Sequence, residues 1–406
     1  MIALLRGNRS LSMLWSARVV SFLGDSLGLV ALMLYMAEST GQALAVALLL
    51  LVGDFAPGLL GPLTGTISDR YPRKQVMLAC EAVQGALTLV IALTLPPAPV
   101  LLLLVGVRAV AGQLFQAASR SIVPAFVPDR DLGTANTAIG IGTNGGEALG
   151  PLVAWLLLPL VGVRGVLLVN AATFIVSILL LARLPAGDRP VAGADAAGRL
   201  WAETWRGLRY IVAQPVVRVV GLGFFAVVVC NGVDDVALVF LPAESLGGRP
   251  SDAGLLLAAV GVGLFAGYAL VARAQRVGMV TLLIAGFAVS SAGNLLTGLA
   301  WAVAAAFTVQ AVRGIGIAAL DVAVNTIIQR TVRPDLLGRV FGSLYGAVGV
   351  AAAVSYVGGG LLLDATSASL TLVIAGAGGL IVTAVVSLAL AGQEVGAAEG
   401  ASAGDG

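Results

Sequence analysis

Residues Gly65–Lys74 read GTISDRYPRK, in which Asp69, Arg70, Arg73 and Lys74 crowd around a proline. Upstream runs LAVALLLLVGDFAPGLLGPL (44–63) and downstream QVMLACEAVQGALTLVIALTL (75–95). Each flank has about the 20 apolar residues that carry a helix across a bilayer. A charged hairpin joining two membrane spans is the direct reading.

The whole chain repeats this texture. Hydrophobic residues make up 59% of the 406 and charged residues only 11%. Soluble domains are nearer a quarter charged, and no water-soluble core could hide such an apolar excess. Strand-type alternation over roughly ten-residue segments, the mark of a membrane β-barrel, is absent. Apolar blocks fall at 12–36, 43–66, 75–96, 99–119, 134–160 and 165–184. A second set falls at 217–241, 253–273, 279–299, 301–328, 340–363 and 368–391. The expected fold is an all-α polytopic membrane protein of 12 transmembrane helices, arranged as two pseudo-symmetric six-helix bundles. The expected division is a first bundle over 1–184, a cytoplasmic linker over 185–214, a second bundle over 215–392 and a disordered tail over 393–406. The linker carries the one long polar stretch, and the tail has no apolar period.

Charge distribution orients the chain. If both termini are cytoplasmic, seventeen basic residues lie on the inner side against Arg164 and Arg249 outside, as the positive-inside rule requires. The first apolar block is too long for the core of a cleaved signal peptide, so a retained helix is expected. Basic residues other than Lys74 are arginine, a skew that with abundant Ala, Gly and Val hints at a GC-rich bacterial genome.

Several function classes drop out. There is no histidine, which removes the commonest metal ligand and the usual physiological-pH switch. Cys80 and Cys230 both fall in apolar blocks and read as buried thiols. No nucleophile–base set of the Ser/His or Cys/His kind exists, so an enzyme is not expected. GIGTNG (140–145) spells G-x-G-x-x-G, but it lies within a span with no preceding strand. No metal or cofactor is expected, and a net charge of +2 gives no reason to expect a nucleic-acid partner.

The halves resemble each other. VRAVAGQ (107–113) has a counterpart in VRGIGIA (312–318), and VPDRDLG (127–133) a looser one in VRPDLLG (332–338). Parallel duplication of six-helix units is a carrier signature, with the binding site placed between repeats.

Together, the spans, the central linker and GTISDRYPRK resemble the major facilitator superfamily, over essentially the whole chain. The family's signature between its second and third helices, Gly-x-Leu-x-Asp-Arg-x-Gly-Arg-Lys, is matched by Gly65, Asp69, Arg70, Arg73 and Lys74. Ile67 replaces the leucine and Pro72 the second glycine. Arg108 followed by Gly112 resembles the fourth-helix Arg-x-x-x-Gly of proton-coupled members. GEALGPLVA (146–154) resembles the antiporter element, with Gly146, Gly150 and Pro151 matching and Ala154 departing. The N-terminal LWSARVVSFLGDSLGLVAL resembles bacterial drug, macrolide and siderophore exporters. The resemblance implies a monomer in the bacterial inner membrane, working with a small-molecule substrate, protons and surrounding lipid. The proton gradient would supply the energy in place of a cofactor.

Ionisable residues at bilayer depth are costly and should face a cavity or a partner. Asp25, Asp54, Glu147 and Arg108 are the expected proton-coupling set. Burial raises a carboxyl pKa by up to ~3–5 units and a neighbouring arginine lowers it by ~1–3, so exchanging partners moves a proton. A static ion pair that fixes helix packing is the alternative, and for Glu81 packing is the preferred reading. Arg18, Asn144, Asn231, Asp234, Asp235, Gln310, Arg313, Asp321 and Asn325 are the candidate substrate-cavity residues. The alternative for Asp234 and Asp235 is a wetted position near the outer surface, and Arg313 has as its partner either Asp321 or a residue of another helix. Asp69 is expected to gate the halves with Arg120 or the start of the eleventh span as its partner.

These features point to a proton-coupled antiporter exporting small amphipathic molecules by alternating access. Proton-driven uptake, transport of lipid or siderophore, and a non-transporting sensor are the alternatives.

Overall fold

In the computed structural model, residues 2–55, 71–185, 209–273, 277–332 and 336–403 are described. Their architecture is helical. In chain order they form α1 (Ile2–Gly7), α2 (Arg9–Thr40), α3 (Ala43–Leu50), α4 (Arg73–Thr94), α5 (Ala98–Ser121) and α6 (Asp129–Ala182). There follow α7 (Pro215–Asn231), α8 (Asp234–Ser245), α9 (Asp252–Arg273), α10 (Met279–Gly298), α11 (Val303–Thr331), α12 (Leu337–Ala365) and α13 (Ala368–Ala403). Among the described residues, ten helices are long and apolar enough to cross a membrane, and Ala43–Gly53 is a shorter apolar helix. Helices satisfy their backbone polar groups internally, which hydrocarbon demands of any spanning segment.

Local sequence explains the ends and breaks. Asn8 caps α2 by accepting from the Leu11 amide at 3.0 Å, and its Nδ2 donates to the Phe126 carbonyl at 2.6 Å. Gly41 closes the same helix in the left-handed region, where a side chain would be strained. Inside α6 the helix breaks at Gly162 (φ 65°, ψ −179°), giving arms 129–161 and 163–182. The seventh apolar block is interrupted, with α7 ending at Asn231 and α8 starting at Asp234. A tightened turn bridges the gap, in which the Val236 amide bonds the Val233 carbonyl at 3.1 Å. α13 runs on to Ala403, past the apolar span, through a stretch rich in alanine, the best helix former.

The chain divides into two compact units. One comprises 1–199 with 250–258, and the other 200–249 with 259–406. In the first, Leu11, Leu14, Met77, Phe115, Ala118 and Leu181 form a buried core. In the second, Val220, Phe224, Leu283, Phe287, Val324 and Ile328 do the same. Apolar side chains also face outward. Ile381, Val385 and Leu388 on α13, spaced by four and three, are 66%, 61% and 75% exposed. An unburied apolar stripe of that kind suits lipid rather than water.

Candidate functional site

In the first unit the site is built on α2. Both arms of α6 press against it where it has no bulk. A Cβ on Gly150 would strike the Ser26 side chain and come within 2.8 Å of the Leu27 amide nitrogen. One on Gly146 would lie 3.1 Å from the Leu23 nitrogen and the Val19 oxygen. From the second arm, Asn170 and Thr173 fill the space beside Gly24 and Gly28. The glycines of the antiporter-like element thus grip the Leu23–Leu27 turn, and that turn holds Asp25 in place.

Asp25 Oδ1 accepts from Arg108 Nη1 at 2.6 Å. The arginine side chain is 13% exposed and the carboxylate 32%. The pair borders a cavity of about 350 Å³, whose wall is polar at Ser21, Gln84 and Gln116 and apolar at Phe22, Leu29 and Phe115. Such a lining suits an amphipathic guest. Gly53 also lines it, within the π-helical turn Leu51–Phe55 that contains Asp54.

Arg18 serves elsewhere. It is buried, with Nη1 donating to Ser119 Oγ at 2.7 Å and Nη2 to Gln116 Oε1 at 2.9 Å. Its guanidinium also lies 5.7 Å from the Phe22 ring centroid. Glu81, read from sequence as packing, is fully buried. Its Oε1 accepts from Ser21 Oγ at 3.1 Å, and its Oε2 has no hydrogen-bond partner among the described residues. Sequence offered a hint in Gln84, three positions on, which shares that face of α4 and reaches the cavity.

The second unit has a tighter centre. Arg313 Nη1 pairs with Asp234 Oδ2 at 2.5 Å, with side-chain exposures of 6% and 7%. It also donates to Gln310 Oε1 at 3.2 Å, while Gln310 Nε2 donates to Thr297 Oγ1 at 3.1 Å. Arg313 therefore takes its partner from another helix. Asn231 Nδ2 donates to Ser291 Oγ at 3.0 Å and accepts at Oδ1 from Asn294 at 3.1 Å. Asp321 accepts from Tyr268 Oη at 3.1 Å and from Asn325 Nδ2 at 3.0 Å, and Asn325 Oδ1 accepts from Tyr345 Oη at 3.1 Å. Asn231, Tyr268, Arg313 and Asp321 line a cavity of about 330 Å³, with Phe224 and Leu320 on its apolar side. Asp235 follows Asp234 and is half-buried.

Other expected positions are placed only in part. Gly65, Asp69 and Arg70 lie outside the described residues, and Asp54, Arg120, Asn144 and Glu147 are described in backbone alone. Pro151 sits in α6, its carbonyl within 2.7 Å of where a Cβ on Gly254 would lie. Arg73 opens α4, and Lys74 Nζ donates to the carbonyls of Ala182 and Leu184 at 2.8 and 2.5 Å. Lys74 thereby caps the C-terminal end of α6, where a cation is favourable.

Membrane-length helices in two units, each with a mixed cavity beside an Asp–Arg pair that is half-buried in the first unit and buried in the second, define a multi-pass carrier. The Major Facilitator Superfamily family model matches residues 14–242, and the chain belongs to that family. Among relatives, the Bacillus subtilis (strain 168) protein "Uncharacterized MFS-type transporter YfiS" is 25% identical over 389 residues, covering 92% of this chain and 91% of that one. "Macrolide efflux protein A" of Streptococcus pyogenes is 24% identical over 123 residues, 29% of this chain and 30% of that protein. Among solved structures, the nucleoside transporter NupG superposes with TM-score 0.77 at 13% identity, over 94% of this chain and 98% of that one. A bacterial homolog to the human lysosomal transporter Spinster gives 0.71 at 17%, over 93% and 96%. The chain is a transporter, not an enzyme.

Proposed function

We propose that the protein is a proton-coupled antiporter that exports small amphipathic molecules. The observation that carries this reading is the Asp25–Arg108 pair at the wall of the first unit's cavity. A carboxylate held by one arginine beside a water-reachable cavity can exchange that partner for a proton. Arg108 then becomes available to the cavity, so protonation and cargo binding share one side chain. With no histidine in the chain, carboxylates are the groups that carry the coupling proton.

Export rather than uptake is supported by the glycines of the antiporter-like element, which pack against the turn bearing Asp25. The similarity to a protein named for macrolide efflux agrees with it. The mixed cavity lining favours cargo with one polar and one apolar end. The protein is expected to work as a monomer in the bacterial inner membrane with both termini cytoplasmic, following the distribution of its arginines.

The test is purified protein in liposomes under an imposed pH gradient, screened against dyes, antibiotics and lipids. Cargo should accumulate against the direction of proton flow, and Asp25→Asn should abolish that accumulation. Wild-type rates against a gradient in both Asp25→Asn and Glu147→Gln would refute the proton assignment.

A further inference from the structure

The two cavities repeat one plan. In the first unit Ser21 donates to Glu81, joining α2 to α4 across a separation of 60 residues. In the second, Asn231 donates to Ser291 and joins α7 to α10 across the same separation of 60. About one helical turn further along stands the acid in each case, Asp25 after Ser21 and Asp234 after Asn231. Each acid bonds an arginine that belongs to the repeated VRAVAGQ and VRGIGIA segments, Arg108 at 2.6 Å and Arg313 at 2.5 Å. Both arginines line the cavity of their own unit, and the Nε of each is buried without a hydrogen-bond partner among the described residues.

The repeat explains the doublet Asp234–Asp235. Carrying the spacing of the first unit over, from Ser21 to Asp25, lands on Asp235. The interruption between Asn231 and Asp234 turns the following helix, and Asp234 makes the bond instead.

We propose that Asp234–Arg313 is a second proton-binding site, so that each unit carries its own coupling proton. This rests on the proton coupling argued above for Asp25–Arg108. In the step, the Arg313 N–H···O bond to Asp234 breaks and a proton from water forms an O–H bond on Oδ2. Release reverses it, and no electrons are exchanged. The charged groups around Asp234 are Arg313 on α11, Asp235 on its own helix and Asp321, which lines the cavity that Arg313 also borders. The helices α12 and α13 pack on α8, and Tyr345, Tyr356 and Asp364 of α12 are the titratable side chains described on them. With Arg313 as the base against it, Asp234 loses its countercharge whenever that bond opens. Buried charge left unpaired is costly, so a proton takes the vacated place.

An ordinary structural pair would also be buried and bonded, and the test must separate the two. Acid-induced infrared difference spectra of the full chain in lipid nanodiscs report the carbonyl stretch of each newly protonated carboxyl, with the proton itself as the probe. The wild-type spectrum should contain one component from each of Asp25 and Asp234, among those of the other carboxyls. Asp25→Asn should remove one and Asp234→Asn the other. The neutral pair Asp234→Asn with Arg313→Gln leaves no unpaired charge, so it serves if the single variant misfolds, and it should lose the same component. An Asp25 component with none assigned to Asp234 would overturn the second site alone. Absence of the Asp25 component would instead count against the first.

Discussion

Arg313→Gln and Arg108→Gln remove the same charge from two equivalent pairs, yet should differ in cost because the pairs differ in burial. In the second unit both side chains are nearly sealed, at 6% and 7% exposure. Removing Arg313 leaves Asp234 charged in a low-dielectric interior, a loss of about 3–5 kcal/mol. Gln310 Oε1 also loses the donor it receives from Arg313. In the first unit Asp25 is 32% exposed to its cavity, and water can take over part of the arginine's role. There the loss should fall to about 1–2 kcal/mol, between the buried and surface limits. The double variant Asp234→Asn/Arg313→Gln, with neither charge left, should return to within about 1 kcal/mol of wild type. Equilibrium denaturant unfolding in detergent micelles, followed by tryptophan fluorescence, measures all three. Equal losses for the two arginines, or a double variant as unstable as the single, would refute the burial argument.

Other substitutions probe the surroundings. Gly150→Ala drives a methyl into Ser26 and toward the Leu27 amide, overpacking that costs about 1–3 kcal/mol. It should slow transport, whereas Gly145→Ala, with nothing among the described residues within 4 Å of its added Cβ, should not. Glu81→Gln keeps a polar partner for Ser21 and removes a buried acid that has no ion pair among the described residues, so its melting temperature should match or exceed wild type. A large drop would reveal a countercharge at Glu81. Lys74→Met deletes two bonds to the α6 terminus and should lower unfolding stability by about 1–3 kcal/mol.

The spans were legible because roughly 20 apolar residues in a row have few other uses. Their breaks were not. Gly162 is one glycine among 53, and nothing local marks it as the one at positive φ. The interruption after Asn231 likewise depends on packing that sequence does not display. For the site, Asp25 and Arg108 were legible as a costly acid on the first span and a costly base on the fourth. Arg18 shares a face with Asp25, but seven residues of helix separate them by about 10 Å of rise, and it bonds α5 instead. The partner of Arg313 was open for the same kind of reason. Asp321 lies eight residues along, about 12 Å of rise, and the bond goes to Asp234 on another helix. How deeply Glu81 is buried is a tertiary fact that sequence does not display.

Coupling through Asp25 is tested most directly by proton movement itself. Liposomes holding the purified protein and an internal pH dye, with no gradient imposed at the start, should register proton flux when an exported compound is loaded on one side. In wild type protons should move opposite to the compound, and with Asp25→Asn the compound should move without them or not at all. Proton flux of wild-type size in Asp25→Asn would contradict the assignment.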